Sequence, residues 1–276
     1  MRNLVHPVPP YFDWYVSIAE AKNLQTRRTL TQIGTQVRDT YTDYVKWFRS
    51  GQLHRLRPSR GLSVHKTILE DCYDIETQPL IRLKASIREA QLDFIAYNCQ
   101  YCDIDSSDTW DHYIPKSSFP EFAVLGLNLI PSCGTCNNKK NQLWKKRSER
   151  VFLNLYTDRL PKMRFLFCRI DMSGGAPSAR FSLHSHQQIP PQLFSIIRHH
   201  FKQLDLIRRY NRKSSDEIHQ TLASLKPLPK SITEYRRGLR EIAAQRQRDF
   251  GRNYWRAVLQ LGLSDSDEFL RWAKGQ

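Results

Sequence analysis

The sequence predicts an α+β protein in which helical regions flank a small central segment that is rich in turns. Three observations favour this architecture. Apolar residues recur with helical spacing before residue 97, and β-type runs and further helical patterns follow residue 151. Between these regions the segments are short, and four of the six cysteines occur there. We therefore divide the chain into an N-terminal helical region (1–96), a central core (97–150) and a C-terminal region (151–276).

Two helical stretches are expected in the N-terminal region. The first runs from about Thr26 to Phe48, and its apolar residues lie four apart, at Ile33, Val37, Tyr41 and Val45. The second runs from about His65 to Ala96 with an interruption near Pro79. Its expected apolar stripe consists of Leu80, Leu83, Ile87, Leu92 and Ile95.

The C-terminal region begins with a predicted β-hairpin. Two β-type runs, Arg164–Ile170 and Ala179–Ser185, flank the turn at Gly174-Gly175. A helix is then expected from the Pro190-Pro191 doublet to about Tyr210. Another is expected to begin after Ser231, which can cap it, and to end near Phe250. The segments Asn253–Leu263 and Ser264–Ala273 are also expected to be helical.

Composition narrows the class of protein. An apolar fraction of 40% and an aromatic fraction of 11% are sufficient for a core, which excludes wholesale disorder. The formal net charge is +16, and residues 151–276 contribute 22 basic against 11 acidic side chains. Such a protein attracts polyanions, nucleic acid first and an anionic membrane surface second. Because no signal peptide or membrane span is recognisable, we expect a soluble cytoplasmic protein without membrane association.

The cysteines fall into two classes. Cys99 and Cys102 form one C-x-x-C pair, and Cys133 and Cys136 form a second. Two such pairs suit tetrahedral Zn²⁺ in a closed structural site, which leaves no position for a substrate. Four buried free thiols or a redox dithiol are the alternatives. Cys72 and Cys168 each stand alone in an apolar stretch and are expected to be core thiols.

The residues between the two pairs resemble the HNH endonuclease family, the ββα-metal nucleases. The resemblance is carried by Asp111-His112, by the Pro115-Lys116-Ser117 run, by Asn128, and by Asn137 directly after the last cysteine of the pairs. It covers about Cys99 to Lys140 and implies a ββα-metal core with a four-cysteine zinc site.

The resemblance also implies a reaction, the hydrolysis of DNA phosphodiester bonds to 5′-phosphate and 3′-hydroxyl ends. His112 would be the general base, because imidazole is largely deprotonated near neutral pH. Asp111 and Asn137 would hold one Mg²⁺, for which Mn²⁺ is a possible substitute, and Asn128 would buttress the loop. The adjacent Asn138 is the alternative to Asn137 as the second metal ligand. Glu121 is expected to be solvated at the surface, with support of the site as the alternative.

Several cations near this core are candidates for contact with phosphates, and ordinary solvation is the alternative for each. They are Lys116, Lys139, Lys140, Lys145, Lys146 and Arg147. The last three would lie on a continuation of the closing helix. Two C-terminal clusters are further candidates, one at Arg208, Arg209, Arg212 and Lys213 and one at Arg236, Arg237 and Arg240.

A looser resemblance concerns the segment from Glu149 to Asp171, which is similar to the nuclease subunits of Septu-type anti-phage defence systems. It implies the nuclease effector of a bacterial defence complex with an ATPase partner that gates cleavage. Double-stranded DNA is the substrate expected from the HNH resemblance and the basic flanks, and RNA is the alternative. The competing hypothesis is a non-catalytic, zinc-stabilised nucleic-acid-binding or scaffold protein. Cleavage of a plasmid with added Mg²⁺ would separate the two.

Overall fold

The computed structural model describes residues 2–225 and 231–275, where helices alternate with three two-stranded antiparallel sheets. The predicted α+β class is therefore confirmed. The chain forms two compact units. One consists of Asn3–Gln100 and Asp105–Arg159, and we call it the core unit. The other, the C-terminal unit, takes Arg2, Tyr101–Ile104 and the described residues from Leu160 onwards. The division at residues 97 and 151 stays a prediction.

The core unit begins with six helices. They are α1 (Tyr11–Glu20), α2 (Leu24–Arg49), α3 (Arg60–Ser63), α4 (Lys66–Asp74), α5 (Gln78–Glu89) and α6 (Asp93–Ala96). The first predicted stretch corresponds to α2, which Asn23 caps by accepting a hydrogen bond from the Thr26 amide at 3.0 Å. Ile33, Val37 and Tyr41 are buried as expected.

The second predicted stretch is divided into α4, α5 and α6. The gap between α4 and α5 ends at Thr77. The Thr77 hydroxyl caps α5, and Pro79 occupies the first turn of that helix. Leu92 lies in the second gap, between α5 and α6, and is 49% exposed. The expected apolar stripe is therefore wrong at Leu92, because the break before α6 takes this residue off the helical face.

A ββα unit follows. Strand β1 (Thr109–His112) pairs antiparallel with β2 (Leu129–Ser132), and helix α7 (Gly134–Lys140) begins directly after Cys133. This is the arrangement that the ββα-metal prediction requires. Helix α2 packs on the loop between the strands, where the Tyr44 and Phe122 rings meet edge to face at 4.9 Å.

The basic run after α7 is a hairpin, which corrects the expectation that it continues the helix. Helix α7 ends at Lys140, and Asn141 adopts a positive φ of 49° that no helix can propagate. Strands β3 (Lys145–Lys146) and β4 (Glu149–Arg150) then pair antiparallel, and Arg147 in their turn has φ 55°.

The C-terminal unit consists of a hairpin and five helices among its described residues. Strands β5 (Leu166–Asp171) and β6 (Ser178–Leu183) pair antiparallel and form the predicted hairpin. The helices are α8 (Pro191–Gln203), α9 (Leu206–Leu225), α10 (Ile232–Phe250), α11 (Trp255–Asp265) and α12 (Asp267–Lys274). The helix expected to reach Tyr210 instead ends before Asp205, whose φ is 54°. Ser231 caps α10 through the Glu234 amide, as predicted.

Among the described helices, none combines the length and the apolar character that crossing a bilayer requires.

Candidate active site

The ββα unit and the loop after β1 enclose a pocket of about 430 Å³. Its lining residues come from the end of β1, from the following loop, and from α7 with the turn after it. They are Asp111, His112, Pro115, Lys116, Ser117, Asn137, Asn138, Asn141 and Gln142. The structure thus brings together the predicted base and both predicted metal ligands. Every lining residue except Pro115 is polar or charged, which suits a charged substrate.

His112 is held in one tautomer by the loop between the strands. Its Nε2 lies 2.8 Å from the Ala123 carbonyl oxygen. A carbonyl can only accept, so Nε2 carries the proton and Nδ1 keeps its lone pair. Burial lowers the pKa of His112 to about 4; the bond to Ala123 opposes this shift, and the charges of Lys116 and Lys140 add to it. The ring is therefore neutral at pH 7, as a general base must be.

Helix α4 supplies a contact to this histidine that the sequence did not reveal. The Tyr73 ring lies edge to face with the His112 ring, with centroids 4.4 Å apart and planes at 75°. Together with the hydrogen bond to Ala123, this contact limits rotation of the imidazole. No sequence signal links Tyr73 to the site, because it lies far before His112 in the chain, on a separate helix.

Asp111 is 2% exposed and forms a buried ion pair. The Lys140 ammonium donates to Asp111 Oδ1 at 3.0 Å and to the His112 carbonyl oxygen at 2.9 Å. The rings of Tyr113 and Phe152 lie 6.0 and 5.7 Å from the same ammonium. Lys140 itself is fully buried. This corrects its prediction as a phosphate contact, because an ammonium enclosed in this way cannot reach a ligand at the surface.

Asn137 is oriented by the backbone of β1. Its Nδ2 donates to the Trp110 carbonyl oxygen at 3.2 Å and to Thr109 Oγ1 at 3.4 Å. The amide nitrogen thus faces the strand, and Oδ1 is the atom that remains for an electropositive ligand. Asn138 also lines the pocket but is more exposed.

Asn128 is fully buried and saturated with hydrogen bonds inside the loop. Its Oδ1 accepts from the Ile114 amide at 2.8 Å and from Tyr44 Oη at 3.2 Å. Its Nδ2 donates to the Ile114 and Phe122 carbonyl oxygens at 2.9 and 3.2 Å. These bonds tie the start of the loop to its end, so Asn128 acts on the pocket through the backbone.

The other predicted phosphate contacts have different surroundings. Lys116 lines the pocket and forms an ion pair with Asp74 at the end of α4. Lys139 and Lys145 are half-buried, whereas Lys146 and Arg147 are exposed on the hairpin.

Glu121 is buried, which overturns the expectation of a solvated surface carboxylate. It is 2% exposed, its Oε1 accepts a hydrogen bond from the Ser59 amide at 3.1 Å, and burial raises its pKa. The side chain therefore ties the segment before α3 to the loop between β1 and β2.

The four paired cysteines converge on one point. Their sulfur atoms all lie within 4.8 Å of one another, and all four residues are buried. Backbone amides support the two loops, Ile104 N–H donating to Cys102 Sγ and Cys136 N–H to Cys133 Sγ, each at 3.4 Å. Four thiolates at this separation fit one tetrahedral Zn²⁺.

The remaining cysteines lie apart from this cluster. Cys72 is 1% exposed, and burial raises the pKa of its thiol to about 12. It is the core thiol that was predicted. Cys168 is only half-buried, on β5.

Comparisons with known proteins agree with this geometry. The family model for HNH endonucleases matches residues 99–143. The chain is 24% identical over 241 residues to protein ea31 of Escherichia phage lambda, with 81% of each chain covered. It is also 36% identical over 62 residues to Septu protein PtuB of Bacillus thuringiensis. That match covers 21% of this chain and 24% of PtuB. No solved structure shows significant similarity.

The matched segment contains both cysteine pairs, both strands and helix α7. Residues 99–143 of this chain are therefore an HNH endonuclease domain with four clustered cysteines that could hold zinc.

Proposed function

We propose that this chain is a metal-dependent endonuclease that hydrolyses DNA phosphodiester bonds in the pocket of its HNH domain. The observation that carries the proposal is the placement of His112. Its Nε2 is occupied by Ala123, so Nδ1 is the nitrogen that remains to act as a base, and His112 lines the same pocket as Asp111 and Asn137.

The donor set fits a hard divalent cation. Asp111 offers a carboxylate and Asn137 an amide oxygen, the ligand types that Mg²⁺ and Mn²⁺ prefer. The pocket lies next to both side chains. When bound there, the ion would withdraw charge from the scissile phosphate and from the leaving 3′-oxygen.

The chain's own residues supply the remaining functions. His112 accepts a proton from a water molecule at Nδ1 as the water oxygen attacks phosphorus. The bond between phosphorus and the 3′-oxygen breaks, and that oxygen takes a proton from solvent. The products carry a 5′-phosphate and a 3′-hydroxyl. Lys116, on the pocket wall, attracts the phosphate, for which it must exchange its ion pair with Asp74.

A plasmid cleavage assay with Mg²⁺, Mn²⁺ or no metal tests this proposal. His112→Ala should abolish nicking while the protein remains folded and retains its zinc. His65→Ala is a matched control, because His65 lies at the start of α4 and does not line the pocket. Cleavage by His112→Ala at the wild-type rate would refute the assignment of the base.

We further propose a role in bacterial anti-phage defence with an ATPase partner, in the cytoplasm. The partial similarity to Septu protein PtuB supports this role. Purification of the tagged chain from its host should recover the ATPase in a stable ratio, and cleavage by the complex should respond to ATP. If the chain purifies without an ATPase and cuts at full rate alone, the partner assignment is wrong, whereas the nuclease assignment is unaffected.

A further inference from the structure

Six cations on neighbouring segments of the core unit form a group that we call the basic face. It consists of Lys46, Arg55, Arg57, Lys145, Lys146 and Arg147. Five of them are exposed, and Lys145 is half-buried. Three come from the hairpin β3–β4, and the other three come from α2 and from the segment that follows it.

Direct contacts join these segments. The Lys145 ammonium donates to the His54 carbonyl oxygen at 3.4 Å, which joins the hairpin to the turn after α2. The Arg55 guanidinium lies 5.4 Å from the centroid of the Trp47 ring. The Lys46 ammonium lies 5.0 Å from the same ring. Trp47 therefore connects the end of α2 to the turn.

No salt bridge of the described residues neutralises the cations of the basic face, and the one carboxylate of the hairpin, Glu149, lies opposite Lys146 without closing an ion pair. Within the described ranges 2–225 and 231–275, none of its six cations has a carboxylate within 4.0 Å. The cations also act on one another. Burial and the charge of Arg57 lower the pKa of Lys145. Burial and the charges of Arg150, Arg55 and Lys145 lower the pKa of His54, and the charge of Glu149 opposes this shift.

The C-terminal unit differs from the basic face, because several of its exposed cations are paired with carboxylates. Arg236 pairs with Asp267, and Arg240 pairs with Asp265. Arg208, Arg237 and Arg246 likewise have carboxylate partners. Part of the basic charge of the C-terminal unit is thus neutralised locally, whereas the six cations of the basic face, which lie beside the HNH domain, have no such partner among the described residues.

We propose that the basic face binds the sugar-phosphate backbone of duplex DNA outside the pocket, so that the N-terminal region forms part of the grip on the substrate. This inference takes from the proposed function only that the bound polyanion is DNA. Gln142, which lines the pocket, precedes Lys145 by three residues. A DNA backbone that leaves the pocket on the side of Gln142 therefore meets the hairpin β3–β4 first.

The aromatic residues of this surface favour a duplex over an unpaired strand. Unpaired bases bind by stacking on exposed aromatic rings. Here cations lie over the Trp47 ring, and Trp144 is 4% exposed with the Lys145 ammonium 4.6 Å from its ring centroid. The basic face thus offers cations for phosphate groups, and cations lie over the rings of its two tryptophans. Contacts with phosphates do not depend on the DNA sequence.

The test measures binding separately from cleavage. Affinity for a fluorescent duplex is measured by anisotropy over a range of salt, in a His112→Ala background without divalent metal. The variant Arg55→Gln/Arg57→Gln should bind about eightfold more weakly per lost phosphate contact at ~0.1 M salt. Its plot of log K against log[salt] should be less steep by about 1.8. The matched control is Arg27→Gln/Arg28→Gln, the same charge change near the start of α2, where both residues are exposed.

The control should retain the wild-type slope. Arg55→Lys/Arg57→Lys should restore most of the affinity, which separates loss of charge from loss of folding. An unchanged slope in Arg55→Gln/Arg57→Gln, or an equal loss in the control, would overturn the proposal. So would a loss confined to single-stranded DNA or to an RNA duplex.

The outcome is distinguishable from failure of the proposed function. If the chain is not a nuclease, no variant cuts a plasmid with Mg²⁺, yet the difference between the two double variants in binding persists. If the basic face is wrong, both double variants with His112 intact cut with the wild-type KM.

Discussion

The Lys140 ammonium lies 3.0 Å from Asp111 Oδ1, with the lysine side chain fully buried and the aspartate side chain 2% exposed at the pocket. One member of this pair is the predicted metal ligand, and the other was expected to touch phosphate. Their contact gives the buried carboxylate a permanent counter-charge before any ion or substrate arrives. It also ties the last residue of α7 to the end of β1.

Lys140→Met should therefore destabilise the fold. It leaves a buried carboxylate without its partner, which costs about 3–5 kcal/mol of unfolding free energy. Urea denaturation measures the change, and the exposed Lys146→Met should shift it by less than about 0.5 kcal/mol. The double variant Lys140→Met/Asp111→Asn should recover much of the loss, because the uncompensated charge is then gone. Equal losses in the single and double variants would show that the pair is not coupled.

The low pKa of His112 predicts a pH dependence of stability. The unfolded chain binds a proton at His112 near pH 6.5, whereas the folded chain does so only near pH 4. Between these values the unfolded state holds more protons, so this group makes stability fall as the pH decreases from 6.5 to 4. The effect is up to about 3 kcal/mol.

Urea denaturation of the wild type and of His112→Asn, without divalent metal, checks this. The difference in unfolding free energy between the two should change across that window and remain constant above about pH 7. A difference that stays constant from about pH 4 to about pH 8 would mean that His112 titrates normally in the folded chain. The comparison with the variant removes the contribution of other groups, including the cysteine cluster.

Tyr73 is predicted to be a positioning residue for His112. Tyr73→Ala removes the ring that packs at 4.4 Å on the imidazole and should lower kcat roughly 10- to 100-fold, with little change in KM. Tyr73→Phe retains the ring and should keep nearly full activity. A loss in Tyr73→Phe equal to that in Tyr73→Ala would assign the effect to the hydroxyl group and contradict the packing argument.

The cysteine cluster predicts one zinc per chain. Elemental analysis of the purified protein should find this zinc. Cys99→Ser or Cys133→Ser should lose the zinc, and the core should then no longer unfold in a cooperative transition. Cys72→Ser is the matched control, since its thiol is equally buried but lies outside the cluster. It should retain the metal. Stable, zinc-free wild-type protein would rule out a structural zinc site.

Local patterns predicted much of this site. The spacing of the two cysteine pairs and the order of Asp111-His112, Asn128 and Asn137 define a short ββα unit. Such a unit has few arrangements, because strand pairing and the turn after the second cysteine pair set its geometry. Helix α2 was predictable for a similar reason, since its apolar spacing is regular and no breaker interrupts it.

Contacts between distant segments could not be predicted. Tyr73 reaches His112 only because α4 packs on the loop between β1 and β2. Glu121 is buried because the segment before α3 covers it. Leu92 is exposed because the helix breaks between α5 and α6, so this residue does not continue the predicted apolar stripe. None of these outcomes has a periodic signal in the sequence.

The sequence by itself determined which chemical groups are present and in what order: four cysteines, an Asp-His pair, two asparagines and an excess of positive charge. The tertiary structure alone decided which charges are neutralised. Lys140 is buried against a carboxylate, and Arg236 and Arg240 are paired, whereas Arg55 and Lys145 have no carboxylate within 4.0 Å in the part of the chain that the structure describes. The physical reason is that a charge acts through its distance to other charges and through its burial, and both depend on segments far apart in the chain.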